Sequence, residues 1–190
     1  MSPSMLALLY DPASYYRPWC KSMQVVTACQ RSALNGYLIS QFGLPGYSTV
    51  LASEQAAVDR LVRSWHLLPA AAYLVACAKH RHKVMADRSY ARQSRAVHAF
   101  LRLCFEQSAA STLARVGTDE LLAWGGQYLR FGLAASLPGW MSARMPLLFA
   151  DSLEQVRSSQ DRTEDFDPNC FWSALAYAAN DPEFSASFCP

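Results

Sequence analysis

The sequence has no cysteine pair at C-x-x-C spacing, and its six cysteines are scattered over 190 residues. This absence argues against the zinc and redox motifs that use such pairs. Residues 1–4 (MSPS) also lack the positive charge that begins a signal peptide. Without export we expect no disulfides, and we expect the cysteines to be small buried apolar groups.

A hydrophobic run long enough to cross a bilayer is also missing. The longest uncharged stretch, residues 32–53, is interrupted by Asn35, Gln41, Pro45 and several glycines and serines. A spanning helix needs about 20 mostly apolar residues. We therefore predict no membrane insertion and a cytoplasmic location.

Charged residues are scarce, at 17% of the chain against 52% hydrophobic residues, which excludes a chain that is disordered throughout. The length suits one domain over residues 1–190. Few segments alternate with period two, although a short pairing near residues 47–51 stays open. We predict an all-α fold, a compact irregular bundle of about six to eight helices with little or no sheet. The polar residues 151–167 are expected to form a mobile connection before a C-terminal helix.

Periodicity and capping signals place five of these helices. They are a helix capped by Ser53 and including Val58, Leu61, Val62 and Trp65; a helix with Pro69 in its first turn; a helix over about residues 89–107; a helix from Thr118 to the turn at 137–139; and a helix from Asp167-Pro168 to about Asn180.

Two clusters of side chains are assigned to packing. Gly125 and Gly126 lie inside a helical pattern and not after a strand, so close helix–helix approach explains them better than phosphate binding. The N-terminal aromatics are expected to cap the core, although an exposed set would indicate a partner surface. These aromatics are Tyr10, Tyr15, Tyr16 and Trp19.

Charge is distributed unevenly along the chain. Residues 1–150 contain fifteen Lys and Arg against seven acids, whereas residues 151–190 contain two against eight. This asymmetry indicates either two docking faces of opposite sign or an acidic tail that folds back on a basic body.

The predicted helix over residues 89–107 has a face of one sign. At about 100° per residue its arginines fall in one stripe, opposite an apolar side. The candidate partner-binding residues are Lys79, Arg81, Lys83, Arg88, Arg92, Arg95 and Arg102. Such a face suits an acidic protein, a nucleic acid or another anionic surface. A simple solvated face is the alternative, although solvated faces usually mix signs. Aromatics do not interleave with the arginines, so nucleic acid is the less favoured partner.

No residue pattern supports catalysis or metal binding. His80 and His82 would point about 160° apart on a helix, so only Cys77 and His80 share a face, and zinc needs at least three protein ligands. Gly46 to Val50 lacks the second glycine of a nucleophile elbow. We expect no enzymatic activity, no metal and no cofactor.

Four short segments occur in an order and at spacings that resemble a known family. They are residues 9–15 (LYDPASY), 65–74 (WHLLPAAAYL), 144–149 (RMPLLF, after Leu137-Pro138) and 176–178 (AYA, before Asp181-Pro182). The chain resembles the OrgA/MxiK branch of the SctK proteins, accessory components of the type III secretion sorting platform.

The resemblance implies a helical, non-catalytic adaptor without a cofactor, docked at the inner-membrane base of the secretion apparatus. Its partners would be the SctD-type inner-membrane ring protein and the SctQ-type pod protein. The pod connects it indirectly to the SctL-type stator and the export ATPase. The shared segments are apolar and contain prolines, so they fit fold maintenance better than partner contact.

Overall fold

The centre of the fold is α5 (Leu68–Lys79), a helix without an exposed face. All twelve of its residues are buried. Pro69 lies in its first turn, as predicted, where the missing N–H would have no partner in the helix. A helix that is apolar on all sides must be covered on all sides by its neighbours. The apolar segment 65–74 is therefore a packing element.

The computed structural model describes residues 2–20, 27–48, 55–103, 105, 116–134, 136–149 and 165–188. Within these ranges all regular structure is helical and no strand occurs, which confirms the predicted all-α class. The helices of eight or more residues in these ranges are α1 (Pro3–Tyr10), α3 (Ala28–Gln41), α4 (Gln55–Arg63), α5, α8 (Thr118–Ala134) and α10 (Pro168–Asn180). The shorter ones are α2 (Arg17–Cys20), α6 (Arg81–Ala86), α7 (Arg95–Phe100), α9 (Gly139–Ser142) and α11 (Pro182–Ala186). Single 3-10 turns occur at Pro12–Ser14, Trp65–Leu67, Tyr90–Arg92 and Met145–Leu148.

The largest helix contact joins α8 to α5 and includes Gly125 of α8. A Cβ on Gly125 would collide with the backbone of Ala72 in α5. A Cβ on Gly126 would lie 2.7 Å from the ring of Phe149. Both positions therefore need a residue without a side chain. This confirms the predicted role in close helix approach for Gly125, whereas Gly126 makes room for the ring of Phe149, which follows the 3-10 turn Met145–Leu148.

The predicted ends of the C-terminal helices agree with the structure. The Asp167 carboxylate accepts a hydrogen bond from the backbone N–H of Cys170 (3.0 Å) and caps α10, which ends at Asn180. The α8 helix begins at Thr118 and ends at Ala134, just before the turn at 136–138. Ser53, the predicted cap of α4, lies outside the described residues. Trp65, predicted in the same helix, lies instead in the 3-10 turn Trp65–Leu67, because α4 ends at Arg63.

The predicted continuous helix over residues 89–107 is wrong. Residues 90–92 form a 3-10 turn, and Gln93 and Ser94 are extended, with ψ angles of 157° and 161°. The Ser94 hydroxyl then accepts a hydrogen bond from the N–H of Val97 (3.3 Å) and caps a new helix, α7. The hydroxyl of Tyr73 donates to the side-chain carbonyl of Gln93 (2.9 Å) and attaches the extended step to α5.

A buried arginine joins the N-terminal helix to the rest of the fold. Arg144 is 2% exposed, and its guanidinium donates to the carbonyl oxygens of Leu8 (3.2 Å), Leu9 (3.0 Å), Pro45 (2.8 Å) and Trp140 (2.6 Å). Carbonyls in the last turn of a helix have no partner inside it. Burial lowers the pKa of the guanidinium, which nevertheless stays charged. Arg144 thus serves as a distant C-terminal cap of α1, where a cation also favours the helix dipole.

The four segments that carry the family resemblance meet in the core. Segment 9–15 contacts segment 144–149 through the Leu9–Arg144 hydrogen bond. It contacts segment 65–74 through the rings of Tyr15 and Trp65, which are 6.0 Å apart and nearly perpendicular. Segment 176–178 belongs to α10, which packs on α5. These contacts support fold maintenance as the role of the segments.

Two groups of side chains follow their predictions only in part. Tyr15 is buried and Tyr16 packs on Phe42, but Tyr10 is 59% exposed. The side chain of Trp19 lies outside the described residues. Cys77 and Cys170 are buried and free as expected, whereas Cys29 is free but exposed because α3 buries only Leu38.

Most of the predicted polar connection, residues 151–164, lies outside the described residues. Its last three residues are attached to α8. The hydroxyl of Tyr128 donates to the carbonyl of Asp165 (3.1 Å) and accepts from the N–H of Asp167 (2.7 Å). The ring of Phe166 packs on the same tyrosine, at 5.6 Å between centroids.

None of the described helices is by itself long and apolar enough to cross a bilayer. Residues 55–63 and 65–79 reach that length and composition only as a pair, with a bend of 65° between them.

Candidate functional site

The candidate site is a set of exposed cations in the part of the chain that follows the central helix. Among the residues singled out from the sequence, five are exposed, and we refer to them as the basic surface: Lys83, Arg88, Arg92, Arg95 and Arg102. Lys83 belongs to α6, Arg88 to the turn after it, and Arg92 to the 3-10 turn at Tyr90–Arg92. Arg95 begins α7, and Arg102 lies in the turn that follows α7. The structure thus keeps most of the predicted cations exposed.

Short anchors hold α6 and the following turn against the body. Val84 is the buried residue of α6. The Asp87 carboxylate then accepts a hydrogen bond from the N–H of Ser89 (2.7 Å), a local turn that stops the helix. The ring of His98 donates to the carbonyl of Tyr90 (2.9 Å) and packs edge-on against the Tyr90 ring, which ties the 3-10 turn to α7.

The apolar side of α7 fixes the orientation of its arginines. Ala96, Val97 and Phe100 are buried, and the Phe100 ring meets Tyr177 of α10 at 5.3 Å. Since one side of α7 faces the core, Arg95 is turned outward. Arg102 is also exposed and lies in the turn that follows α7.

The single stripe of four arginines is therefore replaced by two smaller groups. Arg88 and Arg92 lie before the extended step at 93–94, whereas Arg95 and Arg102 lie after it. The angle of 100° per residue does not carry across this break, so the predicted alignment of all four is wrong. Their common exposure and sign remain.

Two of the candidate residues are less exposed than those of the basic surface. Lys79 is only 6% exposed, and its ammonium is 5.7 Å from the centre of the Tyr128 ring. It belongs to the last turn of α5, which the other helices cover. Arg81 is half-buried, with its Nε 3.5 Å from the sulfur of Met85. Neither side chain is fully presented to a partner.

The arginines of the basic surface form no ion pair within the described part of the chain. Asp87 is the single acid between residues 79 and 103, and Glu106, which follows, lies outside the described residues. Among the described residues, the ion pairs are Arg17–Asp119 (3.8 Å) and Arg31–Asp11, and none includes an arginine of the basic surface. Asp167 and Asp181, two acids of the C-terminal region, are engaged as helix caps. The described part of the acidic tail thus does not pair with these arginines.

The residues considered for metal or thiol chemistry are packing groups. Burial raises the pKa of the Cys77 thiol to about 12, which leaves it protonated at neutral pH. His80 packs edge-on against Trp124 at 4.5 Å, and burial together with Lys83 lowers its pKa to about 4. His82 is exposed. In the part of the chain that the structure describes, no three His, Cys, Asp or Glu side chains are grouped for a metal.

Comparison with protein families decides the identity of the chain. The family described as bacterial type III secretion apparatus protein (OrgA_MxiK) matches residues 5–180. The chain belongs to this family. The match includes the four core segments and the basic surface. Neither the curated proteins nor the solved structures give a match.

As an OrgA_MxiK protein, the chain is a component of the bacterial type III secretion apparatus. This confirms the resemblance read from residues 9–15, 65–74, 144–149 and 176–178. It also places the basic surface on a protein of a multi-component assembly, where exposed charge of one sign is a natural docking feature.

Proposed function

We propose that this OrgA_MxiK protein is a non-catalytic adaptor of the secretion sorting platform. It connects the cytosolic domain of the SctD-type inner-membrane ring protein to the SctQ-type pod protein, and through the pod to the SctL-type stator and the ATPase. It works on the cytoplasmic side, at the base of the apparatus. Family membership supports the assembly, and the exposed basic surface is the observation that supports docking.

The basic surface is suited to orienting a partner more than to holding it. An exposed ion pair contributes only about 0–1 kcal/mol, so its arginines would together supply a few kcal/mol at most. Clustered charge of one sign has a larger effect on the rate of encounter, which rises with charge complementarity and falls with salt. We therefore expect an acidic partner face, and association that slows as ionic strength increases.

The test is a double charge reversal, Arg92→Glu with Arg95→Glu, in the full chain. Both side chains are exposed and neither has a described ion-pair partner, so the fold should be retained. Capture of the ring-protein cytosolic domain or the pod protein should be abolished. The matched control is Arg63→Glu with Arg130→Glu, which changes the net charge equally at exposed positions on α4 and α8.

Unchanged capture by the Arg92/Arg95 variant, with circular dichroism equal to that of the wild type, would remove the basic surface from the proposal. Equal loss in both variants would show a response to net charge alone. Salt-sensitive binding of duplex DNA, with no binding to apparatus proteins, would favour a nucleic-acid-binding module instead.

A further inference from the structure

The outward face of α7 alternates charge with a small apolar residue. Arg95, Ala99 and Arg102 are all exposed; the first two lie four residues apart in α7, and Arg102 lies in the turn that continues it. Hydrogen bonds from the N–H of Leu101 to Val97 (2.9 Å) and of Arg102 to Ala99 (3.2 Å) continue the turn to Arg102. The two arginines are thus separated by about 10 Å along the axis, which is two helical turns.

Ala99 makes this face accessible between its two cations. Helices pack at axis separations of about 8–10 Å, depending on the side chains at the contact. An exposed methyl group at the middle permits the shorter distance, whereas the long side chains of Arg95 and Arg102 would flank a helix placed there. The face therefore has a shallow apolar centre and a positive end on either side.

The surrounding structure favours a helix as the docked element. Within the described ranges the chain has no strand, so this part offers no sheet edge to which a partner strand could add. A helix that presents side chains every three or four residues matches the spacing of Arg95, Ala99 and Arg102.

The charges on this face have no acidic partner among the described residues, where no carboxylate pairs with Arg95 or Arg102. Asp87, eight residues before Arg95, already accepts the N–H of Ser89 (2.7 Å). Glu106, four residues after Arg102, lies outside the described residues. A partner helix with two acids two turns apart would meet both arginines at once, and an apolar side chain between the acids would cover Ala99.

We propose that the Arg95–Ala99–Arg102 face binds a partner helix that carries acidic residues two turns apart with an apolar residue between them. This inference rests on the proposed function, because it names the chemistry of the partner segment for the same basic surface. Its specific claim is that the uncharged Ala99 lies inside the contact.

The first test replaces that alanine without changing the charge. Ala99→Gln keeps a residue with good helix propensity but adds bulk at the centre of the face. Affinity for the captured apparatus protein should fall by at least about tenfold. Ala56→Gln, at an exposed position of α4, should leave it within about twofold. If Arg92/Arg95 reversal abolishes capture but Ala99→Gln does not, this inference fails while the adaptor proposal stands.

The second test uses two helical peptides of identical composition, measured by fluorescence anisotropy against the full wild-type chain. One places Glu residues seven positions apart with a Leu four positions after the first. The other moves the same residues to different faces. The first should bind at least about tenfold more tightly, with the difference lost in Ala99→Gln. Equal binding of both peptides would overturn the inference. So would binding of duplex DNA or anionic vesicles as tight as that of the first peptide, if Ala99→Gln leaves that binding unchanged.

Discussion

Replacement of Arg144 by alanine tests the most connected side chain of the fold. The substitution removes four hydrogen bonds that a charged group donates to carbonyl oxygens. The Leu8 carbonyl keeps a donor, because the Tyr15 hydroxyl also donates to it (2.8 Å). The Pro45 carbonyl belongs to an exposed residue and can accept a hydrogen bond from water instead. The carbonyls of Leu9 and Trp140 belong to buried residues and lose their donor.

The expected loss follows from these contacts. An acceptor left buried without a partner costs about 1–3 kcal/mol, and two such carbonyls give about 2–6 kcal/mol. The lost packing of the Arg144 stem adds to this cost, whereas removal of a buried cation offsets part of it. We expect Arg144→Ala to lower the free energy of unfolding by about 3–5 kcal/mol.

Urea unfolding monitored by tryptophan fluorescence measures this change. With an m-value of about 2 kcal/mol/M the midpoint should fall by about 1.5–2.5 M. Amides of α1 should also exchange faster with solvent, because Arg144 caps that helix. Arg130→Ala, at an exposed position of α8, should stay within about 0.5 kcal/mol of wild type. If Arg144→Ala lowers the free energy of unfolding by less than about 1 kcal/mol, the four hydrogen bonds of Arg144 do not stabilise the fold as inferred.

Two further predictions concern α8, α3 and the buried His80. Gly125→Ala should destabilise the fold by about 2 kcal/mol or more, because the added Cβ meets the Ala72 backbone. Gly36→Ala should stabilise the fold by about 0.5–1 kcal/mol, because Gly36 has open space around it in α3. Urea midpoints that change in the same direction for both variants would contradict this. His80 has a folded-state pKa of about 4, below its unfolded value, so its contribution is present at pH 7.5 and is lost as the pH falls through the window from 6.5 to 4. Between pH 7.5 and pH 5 the free energy of unfolding should fall by about 2 kcal/mol more in wild type than in His80→Gln. An equal fall in both proteins would show that His80 is not held neutral.

Local signals predicted those parts of the fold that depend on local interactions. Pro69 in the first turn of α5 and the Asp167 cap of α10 both act within a few residues of their own position. Gly125 could be assigned to helix contact because glycine inside an apolar helix has few other uses. Each of these assignments needs only the pattern of the sequence around it.

The break at Gln93 and Ser94 shows where such reasoning fails. Periodicity treats residues 89–107 as one helix, but the step is held by Tyr73, twenty residues earlier in the chain. Ser94 did carry a signal, since serine is a preferred N-cap, yet the arginine pattern favoured a longer helix. The exposure of the basic surface was predictable because solvation of arginine is a local preference.

Arg144 was missed for the same physical reason. It is the single charged residue between positions 131 and 150, inside an otherwise apolar region. That isolation is the available signal that Arg144 is buried, but the carbonyls that accept its hydrogen bonds lie as far as 136 residues away in the sequence. The burial of Lys79 is similar, because the Tyr128 ring that covers it comes from α8. Contacts at this range are not encoded in a local pattern.

The most direct measurement for the adaptor proposal is a three-component capture. The cytosolic domain of the ring protein is immobilised, the pod protein is added, and its retention is measured with and without this chain. We expect the pod protein to be retained only when the wild-type chain is present, and the Arg92→Glu/Arg95→Glu variant to fail to retain it. Retention of the pod protein without the chain, or no retention with it, would contradict the adaptor role.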